Sequence, residues 1–354
     1  MSLADQLHTM FIDLDRRDAY SGVVLVTRGE TTEYEGAFGF ANRAWHVRNT
    51  MDTRFDTASI TKLFTTAAVL QMIDAGHFGL DTRVVEYLDL HDTSISPAVS
   101  VFHLLTHSSG IGDDADEEAG ERYEDVWRDR PNYSVIETRD FLAQFVRKPA
   151  NFAPGQGCRY NNVGFVLLGL CIEHASRQTF RDYIREHVFG ATGMNRSGFF
   201  RMDEVADQVA EGADPVIDEA GNIVRWKRNI YSQPPIGSPD SGAHTTAGDL
   251  GRFLRAARTG QLFSEDSTER FLAPYVHHSA TDTTTHRYGL CLEHVSSRSG
   301  TPMFIQKDGY NVGVSGIVRY YPADDITVIL LSNTSDGVWQ PVKDIHAAIT
   351  ARRN

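Results

Sequence analysis

The sequence predicts an α+β fold: an antiparallel sheet built from both chain termini and flanked by helices, with a large, mostly helical region inserted between them. Three observations point there. Strand-like stretches near the start give way to a long interval in which they are sparse, and strands return in the last quarter before a closing helix. Period-two runs rich in β-branched and aromatic residues read as strands, and apolar residues recurring every three or four positions read as helices. Sheet signals at both ends of one chain imply that the ends pair.

Taken in order, residues 22–27 and 33–38 flank the turn-prone Arg28-Gly29-Glu30 and read as a hairpin. Residues 59–75, 162–175 and 246–258 carry helical periodicity, separated by loops rich in proline and glycine. Thr246, with Asp249 three positions on, has the form of a helix N-cap. Strands are expected at 288–295, 303–307, 315–321 and 326–333, then a helix from about residue 340. This divides the chain into a sheet domain of residues 1–56 and 285–354 and a helical domain of residues 57–284, with the active site between them.

Composition excludes several functions. A chain of 354 residues with 41% hydrophobic and 23% charged residues can bury a real core. It has no run of about 18 apolar residues, so no membrane span is expected. The start, Met-Ser-Leu-Ala-Asp-Gln-Leu-His, lacks the basic-then-apolar pattern of a secretory signal, which gives a cytoplasmic expectation. A net charge of −13 disfavours nucleic acid as a partner. Cys158, Cys171 and Cys291 have neither CxxC spacing nor an even count, so they read as buried thiols. His103 and His107 have a zinc-compatible i, i+4 spacing, but no glutamate of an HExxH motif accompanies them. Capping or core hydrogen bonding is the expectation, with no metal and no cofactor.

Lysine usage is the sharper clue. Of 34 basic residues only five are lysine (Lys62, Lys148, Lys227, Lys307, Lys343), so arginine serves wherever a plain cation suffices. Lys62 is the only charge between Asp56 and Asp74, in a segment apolar enough to be buried almost all round. A buried lysine can lose its proton, whereas arginine cannot. Ser59 stands three residues earlier, on the same face and in the same first turn. The positive end of the helix dipole disfavours the ammonium there and favours an oxyanion. A neutral Lys62 could therefore take the Ser59 proton and activate a weak nucleophile.

Ser59-Ile-Thr-Lys62 is followed by Tyr160-Asn-Asn162 and then Lys307-Asp-Gly309, each motif occurring once. In this order, with sheet segments outside and helices between, the chain resembles the serine β-lactamase and penicillin-binding protein superfamily. More narrowly, it is similar to the class C β-lactamase branch with its related esterases (family VIII) and D-stereospecific peptidases. The stretches 103–111, 151–155, 164–169 and 309–316 are similar to family segments at corresponding places. The resemblance implies a β-lactamase/transpeptidase-like fold in which Ser59 attacks a carbonyl and Lys62 and Tyr160 share the proton traffic. Asn162 would orient Lys62 or a substrate amide. Lys307 would lower the Tyr160 pKa and attract a substrate carboxylate, and Gly309 would let substrate approach the strand. The backbone N–H groups of Ser59 and Tyr310 would form the oxyanion hole.

One departure bears on substrate. Family β-lactamases commonly have Thr or Ser where this chain has Asp308, which would oppose a substrate carboxylate if it faces the pocket. A carboxylesterase or amidase acting on small acyl substrates is therefore favoured. A β-lactamase or D-amino or D,D-peptidase is the alternative, and a β-lactam-binding sensor that acylates without turnover is a third reading. Expected partners are small esters, amides or β-lactams. The acidic run at 112–127 reads first as a solvated surface loop. A place beside the active-site mouth, repelling anionic substrates, is its other reading.

Overall fold

The computed structural model describes residues 2–353, and its centre is one eight-stranded sheet. Its strands are β1 (Gly22–Arg28), β2 (Thr31–Phe38), β3 (Val276–Ala280), β4 (Thr284–Tyr288), β5 (Glu293–Ser297), β6 (Pro302–Asn311), β7 (Val314–Tyr321) and β8 (Ile326–Ser332). The order across the sheet is β2-β1-β8-β7-β6-β5-β4-β3, with antiparallel neighbours throughout. β1 lies against β8, Gly22 opposite Ser332 and Arg28 opposite Ile326, so the two ends of the chain do pair.

Five helices position the rest: α1 (Leu3–Arg16), α2 (Thr61–Asp74), α3 (Val163–Ser176), α4 (Ala247–Arg258) and α5 (Trp339–Thr350). Alternation along β1 sends Val24 and Val26 to a core with Leu7 and Phe11 of α1 and Ile345 of α5. Val23 and Leu25 point the other way, into the core that holds α2, α3 and α4. Helices cover both faces, which is why every residue of β8 is buried and its sequence is apolar without alternation. α2 is buried from Thr61 to Leu70, and apolar side chains such as Leu63, Phe64 and Leu70 each contribute about 1.5–3 kcal/mol by leaving water. That burial holds Lys62 inside despite its charge.

Several boundaries differ from the sequence expectation, each for a local reason. The single strand expected at 288–295 is two, β4 and β5, because the chain turns between Tyr288 and Glu293, with Cys291 at φ +71. β3 carries His277, His278 and Ser279, so it has no apolar alternation to announce it. α1 begins at a reciprocal Ser2–Asp5 capping box that the sequence reading passes over. At α4 only half of the expected capping box forms. Thr246 accepts from the Asp249 N–H, while the Asp249 carboxylate takes Arg196 N–H, Ser197 Oγ and Arg252 instead. Among the described residues, no helix is long and apolar enough to cross a membrane.

Candidate active site

Ser59 lies on a 3-10 turn, Ala58–Ile60, and α2 begins only at Thr61, so the serine stands just ahead of the helix rather than within it. Ala58, directly before it, has φ +42, a left-handed conformation that a residue with a side chain rarely adopts. The Asp56 carboxylate accepts the Ala58 N–H at 2.8 Å and helps fix that turn. The peptide is held from outside the helix too, since Thr57 N–H and Thr57 Oγ1 both donate to the Ala243 carbonyl.

Lys62 is fully buried, and its Nζ has three neighbours. It lies 3.0 Å from Ser59 Oγ, 2.8 Å from Asn162 Oδ1 and 2.8 Å from the Asp240 carbonyl oxygen. An ammonium would present three N–H donors; a neutral amine has two N–H groups and one lone pair. In the neutral form the oxygens of Asn162 and Asp240, which can only accept, take the two N–H groups and the lone pair faces the Ser59 hydroxyl; in the ammonium form all three oxygens accept. Burial pulls the Lys62 pKa below its ordinary value, with the Asp240 charge opposing the shift and Lys307 adding to it.

Tyr160, in the loop that leads into α3, packs its ring between both lysines, with Lys62 Nζ at 5.1 Å and Lys307 Nζ at 5.0 Å from the centroid. The His107 ring lies behind it at 4.6 Å. The Tyr160 hydroxyl is closed to solvent and has no partner at hydrogen-bonding geometry. Its pKa is pushed well above the usual phenol value by burial and then by Glu117, against the Ser59 hydroxyl, which favours the ionised form. The net shift is upward although Lys307 lies 5.0 Å from the ring centroid.

Lys307 is 3% exposed, and its ammonium pairs with Asp308 Oδ1 at 3.2 Å. Burial is the largest influence and lowers its pKa, but Asp308, with Cys291 and Glu117 adding to it, holds the ammonium above the ordinary lysine value. Gly309 packs against the Ser59 turn. A Cβ there would meet the Thr57 carbonyl oxygen at 2.2 Å and Ser59 N at 3.1 Å, so the absent side chain makes room for the nucleophile's own turn. Tyr310, next along β6, is 53% exposed.

The acidic run is only in part the solvated loop of the first reading, with Glu117, Glu118 and Glu121 exposed. Asp113 and Asp114 are buried, and the Asp113 carboxylate accepts the N–H groups of Asn162 and Val163 at the start of α3. Glu117 accepts from Asn162 Nδ2 at 3.3 Å, and Glu118 accepts the Tyr160 N–H at 2.8 Å. The segment thus holds the loop that carries Tyr160 and Asn162. Sequence reading placed Asp113 and Glu117 only in a run that borders the active-site mouth in its second reading, and did not single out Asp240, whose contact with Lys62 is through a backbone carbonyl that no side-chain pattern reveals.

The remaining candidates are structural. His103 Nδ1 accepts the Ser100 N–H, and His107 Nδ1 accepts the Asn161 N–H. Among the described residues no group of His, Cys, Asp and Glu side chains could hold a metal. The cysteines are free thiols; Cys171 and Cys291 are buried and Cys158 partly so, and burial pushes Cys291 up to about 11 and Cys158 to about 12.

Comparison with known proteins gives a consistent picture. A family model described as Beta-lactamase matches residues 8–352. Esterase EstB of Burkholderia gladioli is 34% identical over 288 residues, which is 74% of this chain and 72% of EstB. Penicillin-binding protein 4* of Bacillus subtilis (strain 168) is 24% identical over 345 residues, 93% of this chain and 72% of that protein. The crystal structure of a penicillin binding protein from Bacillus halodurans superposes with a TM-score of 0.86 at 37% identity, covering 98% of this chain and 99% of that one. From the second turn of α1 to just past the end of α5, this chain belongs to the Beta-lactamase family.

Proposed function

We propose that this protein is a serine hydrolase that turns over small esters or amides through an acyl-Ser59 intermediate, with esters preferred. The observation that carries the reading is the buried Lys62 Nζ, 3.0 Å from Ser59 Oγ, with two carbonyl acceptors that would leave the lone pair of the neutral amine for Ser59. As Ser59 Oγ bonds to the substrate carbonyl carbon, its proton passes to Lys62 Nζ. The backbone N–H groups of Ser59 and Tyr310 receive the oxyanion. Tyr160, kept protonated by burial, gives its proton to the departing alcohol or amine as the carbonyl reforms, and Lys62 returns a proton to Tyr160. Water then attacks the acyl ester, one of its protons goes to Lys62 Nζ, and the acid leaves as Ser59 Oγ recovers that proton. Asn162 orients Lys62 throughout.

The ester preference is supported by the Lys307–Asp308 pair, since a substrate carboxylate, as in a β-lactam, would have to compete with Asp308 for the ammonium. The test is a parallel panel of p-nitrophenyl esters, D-amino acid anilides and nitrocefin on the wild type and Ser59→Ala. Ester turnover lost in the variant, with little nitrocefin hydrolysis, is expected. A fluorophosphonate adduct that persists in Ser59→Ala refutes the nucleophile. A stable β-lactam adduct on the wild type without turnover of any substrate favours a sensor instead.

A further inference from the structure

Apart from the two lysines, the charges that bear on the reacting groups from the open side are carboxylates, and they come from distant parts of the chain. Glu117 reaches Asn162 from the acidic segment, and Asp308 reaches Lys307 from β6. Glu117 acts electrostatically on Lys62, Tyr160 and Lys307, and Asp308 on Tyr160 and Lys307. Glu117 is exposed and the Asp308 side chain is 53% exposed, so each keeps a face toward solvent, where a substrate arrives. The cation that would receive a substrate carboxylate is buried and already paired.

The strand edge adds a second, independent feature. β5 pairs with β6 only as far as Gln306, opposite Glu293, so the edge of β6 from Lys307 onward is open beside the Ser59 turn. Side chains two apart on a strand share a face, which puts the half-exposed Tyr310 ring, tilted against Trp339 at 6.4 Å, on the same strand face as Asp308. A carboxylate beside an accessible aromatic face is a combination that attracts an ammonium group by charge and by the ring quadrupole.

We infer that the protein selects esters or amides carrying a permanent positive charge within a few bonds of the scissile carbonyl, with Glu117 and Asp308 as the specificity-determining residues. The inference rests on the hydrolase reading above and narrows it to a substrate class. An anionic substrate meets two carboxylates and no free cation, and a neutral one gains nothing from either.

The test uses two matched pairs. Acetylcholine is compared with the isostere in which carbon replaces its quaternary nitrogen, and p-nitrophenyl γ-trimethylammoniobutyrate with its own carbon isostere. In at least one pair the cation is expected to lead by about tenfold in kcat/KM at low ionic strength. That lead should shrink as salt rises and approach unity in the Glu117→Gln, Asp308→Asn double variant. A ratio at or below one in both pairs, or one that the substitutions leave unmoved, overturns the inference while ester turnover keeps the hydrolase reading. Absence of turnover of all four esters overturns both. A variant-free check compares protection of Ser59 from fluorophosphonate by tetramethylammonium and by tert-butanol; equal protection also overturns the inference.

Discussion

Gly309 stands so close to Thr57 that a methyl group on it would lie 2.2 Å from the Thr57 carbonyl oxygen, with Ser59 N only 3.1 Å away. The nucleophile's turn is therefore seated against β6, and the glycine is the condition for that seating. Gly309→Ala should push strand and turn apart, destabilise the protein by about 1–3 kcal/mol and slow fluorophosphonate labelling of Ser59. Urea denaturation and labelling rates measure the two effects; wild-type values for both would mean that the backbone yields without cost.

Lys62→Arg should be nearly as damaging as Lys62→Ala. The guanidinium keeps the charge but has no lone pair to offer Ser59, and it is bulkier than the space between Asn162 and Asp240. Labelling and ester turnover of both variants decide the point. Substantial activity with arginine would leave Lys62 as a cation only.

The pH profile should report Lys62 directly. The neutral amine is the competent form, so kcat/KM climbs with pH through the Lys62 pKa, and burial places that limb below the ordinary 10.5. Lys307 is a like charge that adds to the lowering. In Lys307→Gln the ammonium form of Lys62 is relieved of that repulsion, its pKa rises, and the limb moves to higher pH. A limb that stays in place or moves to lower pH would contradict the assignment.

Asp114 provides a stability test away from the chemistry. Burial and then the neighbouring Asp113 push its carboxyl well above the ordinary 3.8, and Oδ2 has no partner. The native state keeps the proton where the unfolded chain would release it, so this stability is fully present below the unfolded pKa and is lost as pH rises toward the folded one. Asn mimics the neutral acid and can still accept the Ala115 N–H that Oδ1 now takes. Asp114→Asn should therefore gain in urea midpoint over the wild type at pH 8 and gain little at pH 4. Equal effects at both values would show that Asp114 does not titrate on unfolding.

The fold class was legible in the sequence, and so were the three residues proposed here to react, because both readings rest on strong local signals. Period-two strands at each end and a lone lysine in an apolar helix are visible without tertiary structure, and Ser59, Lys62 and Tyr160 follow from residue chemistry and motif order. Tertiary structure decided what depends on groups remote in sequence. It fixed the protonation environment of Lys62, because the Asp240 carbonyl and Asn162 Oδ1 arrive from 178 and 100 residues away. It divided the acidic run, burying Asp113 and Asp114 where Asp113 holds the start of α3 and leaving Glu117, Glu118 and Glu121 exposed. It also set the direction of the Tyr160 shift, since burial, the largest cause, is a property of the packed molecule. Sequence supplies the types of reacting group; packing supplies the dielectric and the partners that set their charge.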